Sequence, residues 1–164
     1  MTAVLDLCRT LPLRSFAAGD VVLAEGTRSG VLYVLASGEI EVLKLGVQIN
    51  TLSEPGAFFG EVAALLDEPH TATVRALTPA TFHVASDPLA FLRSRPEIAL
   101  ELSRLLARRL HFVTTYLVDL KTQFAEHGDH LAIVDEVLDS LVHHQEPEAS
   151  PGSDRCPEPD PTKE

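Results

Sequence analysis

The residues from Phe59 to Leu77, FGEVAALLDEPHTATVRAL, combine residue types that suit the binding of a small anion. Gly60 stands at the start of a short apolar helical turn, where the lack of a side chain lets the backbone approach a bound group closely. N–H groups near Val62 and Ala63 then form the positive end of that turn. Thr71 follows on an alternating strand, and its hydroxyl can donate to an anion.

Two ionisable side chains in the same stretch determine what the site can bind. Glu61 can accept a hydrogen bond, and a carboxylate that faces a closed pocket needs a partner. His70 has at most two donors on opposite sides of its ring. Its reference pKa of about 6.5 leaves it mostly neutral at pH 7 unless a nearby anion raises that pKa. Three alternatives follow: the site binds an anion weakly or in a pH-dependent way, it binds a ligand other than an anion of this kind, or it no longer binds any ligand.

Composition and charge exclude several classes of function. The 164 residues, 45% hydrophobic and 23% charged, are typical of a soluble globular protein. The net charge of −11 repels phosphate backbones, so we expect no direct nucleic-acid partner. No apolar run approaches the roughly 20 residues that cross a bilayer, and no signal peptide is recognisable. We therefore expect a cytoplasmic protein without a membrane partner, in which Cys8 and Cys156 are reduced thiols.

Metal sites and enzyme motifs are not recognisable. The histidine pairs His127/His130 and His143/His144 have no third ligand at a usual spacing. There is no Ser–His–Asp pattern, Walker loop or paired-carboxylate signature. We predict no metal, no cofactor and no enzyme activity.

The elements change character along the chain. Up to about residue 93, short alternating runs are separated by turns, which predicts a β sandwich or barrel, with Ser37-Gly38 as a tight hairpin turn. Ser94 has the capping-box spacing that predicts the start of a long helix. A second, shorter helix over 127–144 and a disordered, acidic, proline-rich tail over 145–164 follow.

The long helix carries a heptad seam, which favours another helix as its partner. We predict a homodimer through this seam; packing of the stripe on the β domain is the alternative. The seam consists of Leu106, Leu110, Val113, Leu117, Leu120 and Phe124.

Several short segments in a fixed order resemble the cyclic-nucleotide-binding domain, specifically the sensor half of the catabolite activator protein family. They are Phe16–Asp20, Glu25-Gly26, Tyr33–Gly38 and Phe59-Gly60-Glu61 through Val74. The resemblance covers roughly residues 5–125 and implies one domain over 1–126. It implies a mainly β fold with C-terminal helices: a double-stranded jelly roll flanked by helices, with a long helix that closes the pocket and pairs across a dimer.

The resemblance also assigns roles to individual residues. Gly60 and Glu61 match the first pair of the family's phosphate-binding segment, Glu61 being the residue that binds the ribose 2′-OH. His70 stands where the family has arginine, and Thr71 and Ala72 match the two positions after it. Thr114 and Thr115 resemble the hydroxyls that reach the base from the long helix.

The family's transcription factors carry a DNA-binding domain after the long helix, but only about 40 residues, acidic overall, follow it here. We therefore expect a stand-alone sensor without a DNA-binding domain, which the resemblance implies binds cyclic AMP or cyclic GMP and signals through its C-terminal helices. His70 lacks the permanent, bidentate charge of arginine, and that loss should cost about 1.5–3 kcal/mol, roughly 10- to 150-fold in affinity. The alternatives are a site for another small anion, or a degenerate scaffold that no longer binds nucleotide and acts on a protein or transcription-regulator partner.

Overall fold

The computed structural model describes residues 2–123 and 132–143, which form eight strands and five helices. The elements are α1 (Thr2–Cys8), β1 (Leu13–Phe16), β2 (Val21–Leu23), β3 (Leu32–Ser37), β4 (Ile40–Lys44), β5 (Val47–Leu52), β6 (Phe58–Phe59), α2 (Glu61–Leu66), β7 (Thr73–Ala76), β8 (Ala80–Ala85), α3 (Pro88–Ser94), α4 (Pro96–Gln123) and α5 (Ala132–His143). None of the helices in these ranges is long and apolar enough to span a bilayer.

The strands form two four-stranded antiparallel sheets. One sheet has the order β1-β8-β3-β6 and the other has the order β2-β7-β4-β5. Neighbours in each sheet are mostly distant in sequence, as Leu13 opposite His83 and Leu23 opposite Val74 show. This arrangement confirms the predicted mainly β jelly roll with flanking helices and a long C-terminal helix.

An aromatic cluster fills the space between the sheets. Phe82 is fully buried, and its ring meets the rings of Phe16, Tyr33 and Phe59 edge-on at centroid distances of 5.6, 5.6 and 5.9 Å. Edge-to-face packing of this kind adds to the stabilisation that burial of apolar area provides. The core therefore fixes the strands from which the loops of the candidate site emerge.

The Ser37-Gly38 turn does not form the predicted hairpin. β3 and β4, which flank it, belong to different sheets, so the turn carries the chain from one sheet to the other. Gly38 has a φ of 106°, and a Cβ there would lie 2.6 Å from the Cα of Ala80. The glycine is needed because β8 begins against this turn, not because the strands pair.

The predicted helix start at Ser94 is also wrong in detail. Ser94 is the last residue of α3, and its hydroxyl donates to the carbonyl of Phe91 at 2.8 Å. Asp87 is the residue that caps a helix here, because its carboxylate accepts a hydrogen bond from the Ala90 N–H at 3.0 Å. The long helix α4 begins at Pro96, within two residues of the predicted position.

The chain divides into two compact units, residues 1–105 and the residues from Leu106 onward. The second unit contains the C-terminal part of α4, with the predicted seam, and α5. The seam residues Leu110 and Val113 are about half exposed, at 48% and 47%. Phe124, the residues between the two helices, and the predicted tail over 145–164 lie outside the described residues.

Candidate functional site

Gly60 and Asp67 set the limits of α2. Gly60 precedes the helix with a φ of 83°, and Asp67 ends it with a φ of 55°, both in the left-handed region. A Cβ on Gly60 would lie 2.7 Å from the carbonyl oxygen of Val31 and 3.3 Å from a methyl carbon of Leu23. The sequence analysis explained Gly60 by the close approach of a bound group to the backbone. Close packing against the loop before β3 is a second reason why a side chain does not fit at this position.

The loop from Ala24 to Val31 lies alongside the segment that follows α2. The backbone of His70 exchanges two hydrogen bonds with it, donating to the Thr27 carbonyl and accepting from the Gly26 N–H, each at 2.8 Å. Further along, the Glu25 N–H donates to the Thr73 hydroxyl at 3.1 Å. The loop and the segment therefore form one hydrogen-bonded structure.

The His70 imidazole is buried, with 5% of the residue exposed. Its Nε2 lies 2.7 Å from the Ser29 hydroxyl, which also accepts a hydrogen bond from the Val31 N–H at 3.3 Å. Burial lowers the pKa of His70 from its ordinary value of 6.5, because the charged ring loses hydration. The imidazole is therefore mainly neutral at pH 7.

Ser29 is a residue that the sequence reasoning missed. It lies 41 positions before His70, and nothing in the spacing of either residue indicates the contact. The turn signals around Glu25-Gly26 and Ser29-Gly30 marked a loop there, but the side to which it folds depends on the pairing of β2 with β7.

The remaining predicted residues of this stretch differ in exposure. Glu61 is buried, with 6% exposed, at the first position of α2, where it already interacts within the protein. Val62 and Ala63 are half-buried in the first turn, Thr71 is exposed, and Ala72 is half-buried. The structure thus brings the predicted residues 60–63 and 70–72 into one region, and their role in binding stays a prediction.

A cavity of about 360 Å³ lies beside α2 and the loop before β3. Two predicted residues, Ala63 and His70, line it. The complete lining is Arg28, Gly30, Val31, Ala63, Ala64, Asp67, Glu68, His70, Ser86, Asp87, Pro88 and Leu89. Six of these twelve residues are polar or charged, so the cavity is more polar than a typical small-molecule site.

Thr114 and Thr115 belong to the second unit. Their hydroxyls donate to the carbonyls of Leu110 and His111 within α4, each at 2.9 Å. This back-bonding is common for threonine in helices, and it leaves each hydroxyl oxygen with further acceptor capacity. That they reach a nucleotide base stays a prediction.

The described ranges 2–123 and 132–143 contain no group of three or more histidine, cysteine, aspartate or glutamate side chains that could hold a metal ion.

Comparison with known proteins agrees with the geometry. Residues 13–87 match the family model of the cyclic nucleotide-binding domain. The chain is 30% identical over 125 residues to a CRP-like cAMP-activated global transcriptional regulator of Mycobacterium tuberculosis, a match that covers 73% of this chain and 56% of that protein. It is 37% identical over 73 residues to a cGMP-dependent protein kinase of Eimeria tenella, covering 44% of this chain and 7% of the kinase.

Among solved structures, the catabolite activator protein of Thermus thermophilus has the same fold, with a TM-score of 0.61 and 24% identity over 88% of this chain and 83% of that one. The chain spans about half of the length of the mycobacterial relative, and less of the kinase. Residues 13–87 are therefore similar to the cyclic nucleotide-binding domain, and the order of the two sheets agrees with that similarity.

Proposed function

We propose that this chain is a cytoplasmic regulatory sensor that binds cyclic AMP or cyclic GMP and transmits the bound state through α4 and α5. The observation that carries the proposal is the cyclic nucleotide-binding domain over residues 13–87, whose segment from Gly60 to Thr73 is held in place by the loop from Ala24 to Val31. The proposed activity is binding, and a ligand acts by shifting the population of conformations that the C-terminal helices adopt.

The choice between the two nucleotides needs a direct test. The relatives include one named for activation by cyclic AMP and one named for dependence on cyclic GMP. Thr71, the position after His70, is exposed in this chain and can donate a hydrogen bond to either nucleotide. Both nucleotides must therefore be compared on the same preparation.

Titration calorimetry with cyclic AMP and cyclic GMP at pH 6 and pH 8 tests the proposal. An anion beside His70 favours the protonated ring, so binding takes up a proton and should be tighter at pH 6 than at pH 8. Saturable heat at micromolar to submillimolar ligand supports the proposal. Absence of heat for both nucleotides at millimolar concentration and both pH values would overturn it.

We also propose that two copies of this chain pair through the seam on α4. Leu110 and Val113 are about half exposed, and apolar side chains at heptad spacing along one face of a helix suit a second helix. Leu110→Glu should lower the mass measured by light scattering towards that of the monomer. Phe112→Glu is the matched control, because Phe112 is 72% exposed on the same helix but outside the seam. An unchanged mass for Leu110→Glu would refute the seam as the interface.

A scaffold that no longer binds nucleotide is the second candidate function. It is favoured by the state of His70, which is buried, mainly neutral and already hydrogen-bonded to Ser29. A neutral ring with an internal partner is a weak anion ligand. In this case the hydrogen bond between His70 and Ser29 would serve the stability of the fold, and the calorimetric titration above would give no heat.

A further inference from the structure

Arg28 is a charged residue beside the candidate site to which the sequence reasoning gave no role. It immediately precedes Ser29, the hydrogen-bond partner of His70, and both Arg28 and His70 line the 360 Å³ cavity. Among the described residues that line the cavity, Arg28 alone carries a permanent positive charge. Arginine binds phosphate through two parallel N–H donors, which histidine cannot match.

The electrostatics of the region raise the question of what attracts an anion. The whole chain has a net charge of −11, and Asp67, Glu68 and Asp87 also line the cavity. His70 is mainly neutral at pH 7 because it is buried. A phosphate that approaches this region needs a cation that is charged at every physiological pH.

We infer that Arg28 is a ligand-binding residue of this domain and that its guanidinium contacts the phosphate of the bound cyclic nucleotide. This inference rests on the proposed function, because it assigns the positive charge that meets the ligand. The ligand's negative charge then lies between the guanidinium of Arg28 and the imidazole of His70, which both line the cavity.

The present contacts of Arg28 are weak enough to be exchanged. Its Nη1 donates to the Asp67 carbonyl at 2.6 Å and lies 3.4 Å from the Asp67 carboxylate. The side chains of the pair are 60% and 102% exposed, so water screens their attraction. Exposed pairs of this kind contribute little to stability. Two charge-assisted hydrogen bonds from the guanidinium to a phosphate are stronger than the present contact with the Asp67 carboxylate.

The pairing of Arg28 with Asp67 allows two substitutions that should change nucleotide affinity in opposite directions. Arg28→Gln removes the cation and should weaken nucleotide binding roughly 10- to 150-fold. Asp67→Asn removes the competing carboxylate and should tighten binding roughly two- to fivefold. Asparagine tolerates the left-handed φ of 55° at this helix end, so the fold should be kept.

A second exposed pair in the same chain provides matched controls. Arg9 and Asp6 lie 2.7 Å apart, with side chains 77% and 49% exposed, and neither lines the cavity. Arg9→Gln and Asp6→Asn make the same changes of net charge and should leave affinity within twofold. Calorimetry with cyclic AMP and cyclic GMP on all four variants, at low and high NaCl, gives the comparison, and thermal denaturation shows that each variant is folded.

The outcomes separate this inference from the proposed function. Weaker binding of Arg28→Gln with tighter binding of Asp67→Asn supports it, most clearly if Asp67→Asn no longer tightens binding in a fifth variant that combines it with Arg28→Gln. A wild-type protein that binds nucleotide while Arg28→Gln binds equally well would overturn the inference and leave the proposed function standing. A wild-type protein that binds neither nucleotide would overturn both.

Discussion

Replacement of His70 by arginine should change affinity and stability in opposite directions. In the wild-type protein the imidazole is 5% exposed and lies 2.7 Å from the Ser29 hydroxyl, so it fits its surroundings closely. An arginine introduces a longer side chain and a permanent charge at this place. The charge can meet a nucleotide phosphate through two donors, which should tighten binding roughly 10- to 150-fold.

The same substitution should destabilise the protein without ligand. Overpacking of a buried position costs about 1–3 kcal/mol, and partial burial of a guanidinium adds to that cost. The adjoining cavity of about 360 Å³ offers room for the longer side chain, which keeps the loss at the lower end of this range. The free protein should therefore unfold at a temperature several degrees below that of wild type.

Calorimetric titration and thermal denaturation with and without nucleotide measure the two effects. His70→Gln is the control, because glutamine can keep a hydrogen bond to Ser29 but cannot become charged. That variant should bind no more tightly than wild type at pH 8 and should lose the gain at pH 6. An affinity of His70→Arg equal to or weaker than that of wild type would show that the phosphate does not lie beside residue 70.

Three further predictions concern the same unit. Gly60→Ala should destabilise the protein by roughly 1–3 kcal/mol in a urea titration, because its Cβ would lie 2.7 Å from the carbonyl oxygen of Val31. Gly30→Ala is the control and should cost less, because nothing lies within 4 Å of a Cβ there. Equal losses of stability for the two variants would contradict the packing argument. Burial raises the pKa of Cys8 to about 11, despite the opposing charge of Arg95. In a Cys156→Ser variant, the Cys8 thiol should therefore react with a disulfide reagent at pH 8 only after the protein unfolds. Rapid reaction of the folded protein would refute this prediction. Because the pKa of His70 is lowered on folding, its contribution to stability should be complete above about pH 6.5 and decline as the pH falls below it. His70→Gln should reduce the loss of unfolding free energy at acid pH. If the dependence of stability on pH is unchanged in this variant, other groups cause the acid sensitivity.

Periodicity was a good guide to the elements of this fold. The alternation of apolar residues predicted a β domain of short strands, and the 3.5-residue repeat predicted one long helix, both of which the structure contains. These patterns are local consequences of which face of an element is buried, so a sequence carries them directly. The jelly-roll architecture was predicted from the resemblance to a known family, and no strand order was predicted.

Contacts between distant segments were not predictable in this way. Ser37-Gly38 has the composition of a hairpin turn, but β3 pairs with β8 and not with β4, because the sheets are assembled from distant strands. Turn composition specifies backbone conformation, not the partner of the strands on either side. The contact of Ser29 with His70 depends on the same long-range pairing.

The positions of Arg28 and His70 together describe how the site should respond to pH. In the free protein burial favours the neutral imidazole, whereas an anion beside it favours the charged form, so acid weakens the free fold and strengthens binding. The guanidinium of Arg28 does not titrate in this range. Affinity at pH 8 should therefore report mainly on Arg28, and the additional affinity at pH 6 should report on His70. A domain that holds its phosphate in this manner binds at neutral pH through one permanent charge, and a second charge on His70 adds to it as the pH falls.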